Sequence, residues 1–131
     1  MRYFKFNKLV RDEIVYQILK SGDLPKYRYL EEDEFLKKLK AKMLEEVEEL
    51  CNATKNKEMI EELADISELV DELMKLRNIK KKELKSCQIN KKRKNGGFGK
   101  RIFIDYVGCK SNSTWARYYQ ENEDKYPEIN M

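Results

Sequence analysis

Histidine is absent from all 131 residues. That absence excludes Ser-His-Asp and Cys-His nucleophilic catalysis, and with them every His-ligated metal site. Cysteine is scarce: Cys51, Cys87 and Cys109 are odd in number, widely spaced and without a CxxC pair. They read as reduced thiols of a cytosolic protein and offer no zinc site. No apolar run approaches the roughly 20 residues of a membrane span. The opening Met-Arg-Tyr-Phe-Lys-Phe-Asn-Lys lacks the apolar centre of a signal peptide. Gly96-Gly97-x-Gly99 lacks the Gly-Lys-Ser/Thr ending of a phosphate-binding P-loop. No internal repeat is present.

What the chain has instead is charge. Charged residues make up 40% of it, as do hydrophobic ones, and 131 residues suit one domain with a modest core. The net charge of +4 hides a division. Residues 31–76 carry 15 acidic and 7 basic side chains, a balance of −8, whereas residues 77–110 carry 12 basic and 2 acidic ones, a balance of +10. An acidic centre beside a basic arm suits a polyanionic ligand, with a metal taking some phosphate oxygens and Lys and Arg taking others. The alternative is a basic surface that merely complements the acidic helices.

The acidic part is patterned. Over residues 32–54, Leu36, Leu39, Met43, Val47 and Leu50 form one stripe at about 100° per residue, the period of a helix. Glu46 borders that stripe and Glu49 lies one step further out. Over residues 57–77, Met59, Leu63, Ile66, Leu69, Val70, Leu73 and Met74 form a wide apolar arc. Glu62 falls inside it and Asp65 flanks it. Each pair, Glu46-x-x-Glu49 and Glu62-x-x-Asp65, shares one helix face. A short connection folds the two helices back antiparallel, so the pairs can meet. Four converging carboxylates repel unless a cation sits between them, and Mg²⁺, a hard ion that takes oxygen ligands, suits them. A structural ion pair with a Lys or Arg is the other reading of Glu62, because a buried, unpaired carboxylate is costly. Glu45, Glu48, Glu58 and Glu61 read as a solvated face.

Elsewhere, Asn7 to about Ser21 reads as a first helix ended by Gly22. Tyr27-Arg28-Tyr29-Leu30 and residues 101–107 (Arg-Ile-Phe-Ile-Asp-Tyr-Val) alternate like strands and are expected to pair as a small two-stranded sheet. Asn56 is the expected N-cap of the second acidic helix. Lys80 to about Lys92 reads as a fourth helix, and Asn95-Gly96-Gly97 then breaks the chain. Lys91-Lys92-Arg93-Lys94 has the composition of a nuclear-localisation or nucleic-acid patch and equally that of an ordinary basic helix end. The stretch from Gly108 is polar, anchored by Trp115, Tyr118, Tyr119 and Tyr126.

Residues 44–50 (Leu-Glu-Glu-Val-Glu-Glu-Leu), followed by 61–66 (Glu-Glu-Leu-Ala-Asp-Ile), resemble the EExxE…ExxD signature of the all-α nucleoside triphosphate pyrophosphatases. The flanks resemble a MazG-like, phosphoribosyl-ATP-pyrophosphohydrolase-like subgroup. Asn7-Lys8-Leu9-Val10-Arg11-Asp12 matches its start, and Gly96-Gly97-Phe98 with Lys100-Arg101-Ile102-Phe103 its end. The likeness covers about residues 3–107. Two positions depart, with Glu13 where the subgroup has Lys and Val15 where it has Pro. The resemblance implies a mainly α, antiparallel helical bundle over 1–107, with 108–131 as a polar and aromatic tail. It implies hydrolysis of a nucleoside triphosphate between the α and β phosphates, with phosphoribosyl-ATP as the alternative substrate. By motif position Glu46, Glu49, Glu62 and Asp65 would hold Mg²⁺, for which Mn²⁺ can substitute. Glu45 and Glu49 would serve catalysis, Glu45 by orienting the attacking water. Lys8, Arg11, Lys94 and Arg101 are the expected ligands of the phosphate tail.

Two other classes compete: a nucleotide or nucleic-acid binding module using the basic arm, and an interaction protein whose acidic helices are only an oligomer interface. The complete carboxylate set argues against the first, and Glu62 in the apolar arc against the second. The expected partners are a nucleotide and a second copy of the chain, with neither membrane nor nucleic acid.

Overall fold

Two long helices joined by three residues carry the acidic motifs. In the computed structural model, which describes all 131 residues, α1 spans Asp12–Lys20, α2 Glu32–Asn52, α3 Asn56–Leu76, α4 Lys81–Asn95 and α5 Thr114–Glu121, with no strand. The chain divides into two compact units, Met1–Lys91 and Lys92–Met131. No helix is long and apolar enough to cross a membrane.

In the first unit, α2 opens with Glu32, Asp33 and Glu34 in its first turn, where the helix dipole favours negative charge. Arg28 clamps Glu34 with both guanidinium nitrogens at 2.7 Å, tying the preceding segment to that turn. The short α2–α3 connection suits an antiparallel return, and the two helices pack on one another. Leu39 of α2, 1% exposed, and Met74 of α3 form the buried apolar centre. The pair covers only one side of each apolar stripe. Leu44 (73% exposed), Val47, Ile60 (65%) and Leu63 remain open to solvent.

Two helix ends of the first unit are closed by left-handed residues. After α1, Gly22 (φ +89°) donates to the Leu19 carbonyl and Asp23 reaches back to that of Ile18. After α3, Asn78 (φ +55°) donates to Lys75 and Ile79 to Met74, the same paired reach-back.

Helices α1 to α4 fall close to where the sequence puts them, α5 lies in what the sequence reads as a polar tail, and three further expectations are corrected. First, α1 begins at Asp12 rather than Asn7. Asn7 is itself left-handed at φ +47°, which turns residues 8–11 out of the helical path. Second, Asn56 is the first helical residue rather than the N-cap. Lys55 holds the cap position without a side-chain bond, and Glu58 accepts the Thr54 N–H at 3.3 Å. Third, residues 27–30 and 101–107 form no strand. Alternation suits a strand only when a ladder partner satisfies the backbone. Here Tyr29 is turned to solvent, Arg28 is committed to Glu34, and Arg101 takes a left-handed φ of +58°.

In the second unit, Ser113 caps α5 by accepting the Trp115 N–H at 3.1 Å. Trp115 stacks on Tyr119, whose ring lies 4.9 Å from that of Tyr126. The four aromatic anchors of the tail therefore gather around one short helix, whose spacing of 115, 118 and 119 was a helical signal in plain view.

Candidate metal centre

Glu46 lies seven residues, two helical turns, beyond Leu39 and so on the same line of α2. The line that buries Leu39 buries Glu46 as well, to 6% exposure, making it the only buried charged side chain. The sequence places Glu46 at the border of the stripe and Glu62 inside the arc. In the structure the depths are reversed, with Glu46 buried and Glu62 half-buried. The cause is the narrow α2–α3 seam, which encloses what faces it and leaves the flanks of both arcs open.

Antiparallel packing brings the two motifs together. One carboxylate oxygen each from Glu46, Glu62 and Asp65 lie within 4.8 Å of one another, and the same holds for Glu45, Glu46 and Glu49. Glu46 belongs to both groups. Four of the expected residues, Glu46, Glu49, Glu62 and Asp65, thus converge from two helices, with Glu45 beside them. Glu49 is exposed and, with Glu62, Asn52, Ala53, Glu58 and Glu61, lines a groove of about 260 Å³ at the α2–α3 turn.

The electrostatics are unbalanced. Oε2 of Glu46 and Oε2 of Glu62 are buried and accept no hydrogen bond. Burial, then a hydrogen bond shared with the Glu62 carboxyl, then the charges of Glu49 and Asp65 push Glu46 up to about 7, while Lys42 pulls the other way; the two Oε2 atoms are unpartnered when both acids are ionised. Glu45 is displaced downwards, chiefly by its hydrogen bond from Lys8 and then, against an opposing desolvation, by Lys42. Lys8 Nζ stands 3.1 Å and Lys42 Nζ 3.4 Å from the same oxygen, Oε1 of Glu45. Lys42 also lies 3.6 Å from Glu46. Arg11 donates to Asp65 at 2.6 Å, and that bond, opposed by desolvation, raises the guanidinium above its ordinary value.

Lys8 and Arg11 thus reach the acidic centre, while Lys94 and Arg101 belong to the second unit. There Lys94 lies in the last turn of α4, and Arg101 donates its N–H to the Phe98 carbonyl at 3.1 Å. Lys42 was not anticipated. Its signal was its spacing, three residues before Glu45 and four before Glu46, which puts it on their face of α2.

These residues fit a divalent cation. The donors are all carboxylate oxygens, the set a hard ion takes. Two of those oxygens are buried and unsatisfied, a costly condition that a cation would relieve.

Residues 18–87 match the family model of phosphoribosyl-ATP pyrophosphohydrolase. The matched stretch takes in α2, α3 and both carboxylate pairs, and leaves out Lys8 and Arg11 on one side and Lys94 and Arg101 on the other. Searches of curated proteins and of solved structures returned no match. Spanning more than half of the chain and every residue of the acidic centre, the family match makes this protein a member of the phosphoribosyl-ATP pyrophosphohydrolase family, within the MazG-like all-α nucleoside triphosphate pyrophosphatases, and a hydrolase of phosphoric anhydrides.

Proposed function

We propose that the protein is an Mg²⁺-dependent pyrophosphohydrolase that cleaves a nucleoside triphosphate between its α and β phosphates, releasing the monophosphate and pyrophosphate. The observation that carries this reading is the pair of buried, unpartnered oxygens, Oε2 of Glu46 and Oε2 of Glu62, at the meeting point of two carboxylate pairs. Phosphoribosyl-ATP is the second candidate substrate, favoured by the family match. Both substrates present the same bond to the site.

Glu46, Glu49, Glu62 and Asp65 are the residues that would hold Mg²⁺, or Mn²⁺ in its place. A bound divalent ion neutralises phosphate charge and makes a coordinated water more acidic. Glu45 is assigned to orienting the attacking water. Its pairing with Lys8 and Lys42 through Oε1 keeps it ionised and leaves Oε2 for that water. Glu49, on the groove beside the centre, is assigned to the same catalytic step. Lys8 and Arg11 are assigned to the phosphate tail on their reach to the centre. Lys94 and Arg101 are assigned to it on charge and on the resemblance of their flank. The catalytic domain is taken as residues 1–107, and the setting as a nucleotide-pool or house-cleaning role in the cytoplasm. The exposed Leu44, Val47, Ile60 and Leu63 support a homo-oligomer, since adjoining apolar side chains on two packed helices are a usual mark of an interface.

The test is a panel of ribo- and deoxyribonucleoside triphosphates, modified nucleotides and phosphoribosyl-ATP, each incubated with Mg²⁺ and followed for pyrophosphate. Metal-dependent pyrophosphate release from one of them, abolished by chelation, is the expected result. Silence across the panel with both Mg²⁺ and Mn²⁺ would overturn the reading.

A further inference from the structure

The five residues ahead of α1 act as a strap over the acidic centre. From the left-handed Asn7, the chain sends Lys8 to Glu45 on α2 and Arg11 to Asp65 on α3. Arg11 is also the N-cap of α1, extended at φ −66° and ψ 151°, and its carbonyl accepts the Ile14 N–H at 3.0 Å. Its backbone is therefore fixed by the helix while its side chain alone makes the contact with Asp65.

The two ends of the strap differ. Lys8 shares its Glu45 oxygen with Lys42, so that carboxylate is doubly compensated. Arg11 is the only cation on Asp65. The side chains of Arg11 and Asp65 are 59% and 36% exposed, and ion pairs in such settings contribute little and exchange readily. Beside them lie the two buried carboxylate oxygens that nothing satisfies. Asp65 thus belongs both to a weak exposed pair and to a carboxylate triad with a strong demand for a cation.

We propose that Arg11 is a substrate-phosphate ligand held in reserve on Asp65. Arg11 and a divalent ion compete for the same carboxylate, and loss of the Asp65 contact frees a guanidinium beside the centre. The planar fork that fits a carboxylate fits a phosphate equally well, so the displaced group is suited to the anion that follows. Metal loading and phosphate binding are then coupled through one side chain, each favouring the other. The proposal rests on the reading of the centre as a metal-dependent phosphate site.

Arg11→Met tests it, with Arg11→Lys as the conservative variant. Mn²⁺ binding is measured calorimetrically without nucleotide, and pyrophosphate binding at saturating Mn²⁺. Removing the competitor should tighten Mn²⁺ by about threefold to fivefold, within the range of an exposed ion pair. Removing the phosphate ligand should weaken pyrophosphate by about tenfold, the scale of one charge-assisted contact. Arg11→Lys should shift both in the same directions by less, and it carries the test alone if the Met variant does not fold. A structural role would weaken both affinities together, and that result, or an unchanged Mn²⁺ affinity, would overturn the proposal. If the wild-type protein binds no Mn²⁺ at all, the metal reading fails and takes this proposal with it. Normal wild-type Mn²⁺ binding without the opposed shifts sinks the proposal alone.

Discussion

Glu46 and Glu45 are neighbours in sequence and opposites in environment. Burial and the surrounding carboxylates raise Glu46 to about 7, well above the roughly 4.3 of a free glutamate. Its folded form therefore binds a proton more tightly than the unfolded chain does. The associated stability is complete below about pH 4.3 and is lost as pH rises through about 7. In the metal-free protein this loss amounts to about 4 kcal/mol at most. Urea midpoints between pH 4.5 and 7.5 in the presence of a chelator should fall for the wild type beyond any fall in Glu46→Gln; identical slopes would remove the assignment. Glu45 runs the other way, contributing stability that is lost as pH falls through its lowered value. At Glu62, we expect Glu62→Gln to abolish metal-dependent pyrophosphate release while the circular dichroism melt stays near that of the wild type, since discharging a half-buried acid whose Oε2 has no partner costs the fold little. Near-normal release from a folded variant would show that Glu62 is no ligand. The presence of both acids at one face was legible from spacing alone. Their depth was not, because a single helix wheel shows which residues can face a partner, whereas burial depends on how wide the seam turns out to be.

At the scale of elements, α2 and α3 were readable to within two residues because amphipathic period, acidic first turn and a polar connection all agree there. The alternating segments at 27–30 and 101–107 were misleading. Period two describes a backbone that could join a sheet, and nothing local reveals whether a ladder partner exists. The basic run at the end of α4 is also double-edged. Lys92, Arg93 and Lys94 occupy the last turn, where the helix dipole already favours cations. Neutralising Lys91, Lys92, Arg93 and Lys94 together should raise KM severalfold and flatten its salt dependence, with kcat falling less. Loss of DNA or RNA binding with a steep salt slope and an unchanged KM would instead identify a nucleic-acid patch. If neither assay moves, the cluster serves only the helix end.

For the whole molecule, the open flank of the α2–α3 pair argues for association. Leu44, Val47, Ile60 and Leu63 adjoin the packed seam, and a chain with so few buried apolar residues gains from sharing a core. Light scattering should give a mass above 15.8 kDa, most simply twice that value; a concentration-independent monomer would refute it. The sequence signal for the expected self-association is an apolar arc too wide for one neighbour; the geometry of such a contact belongs to two chains and is not written in one. One further consequence follows from the three-residue turn between α2 and α3. All four ligand candidates lie between positions 46 and 65, so bringing them together requires the chain to search only a short loop. Contacts so close in sequence form fast. The electrostatic repulsion of the finished centre is therefore present as soon as the hairpin closes, and cations in the medium can act on the pace of folding as well as on the folded protein.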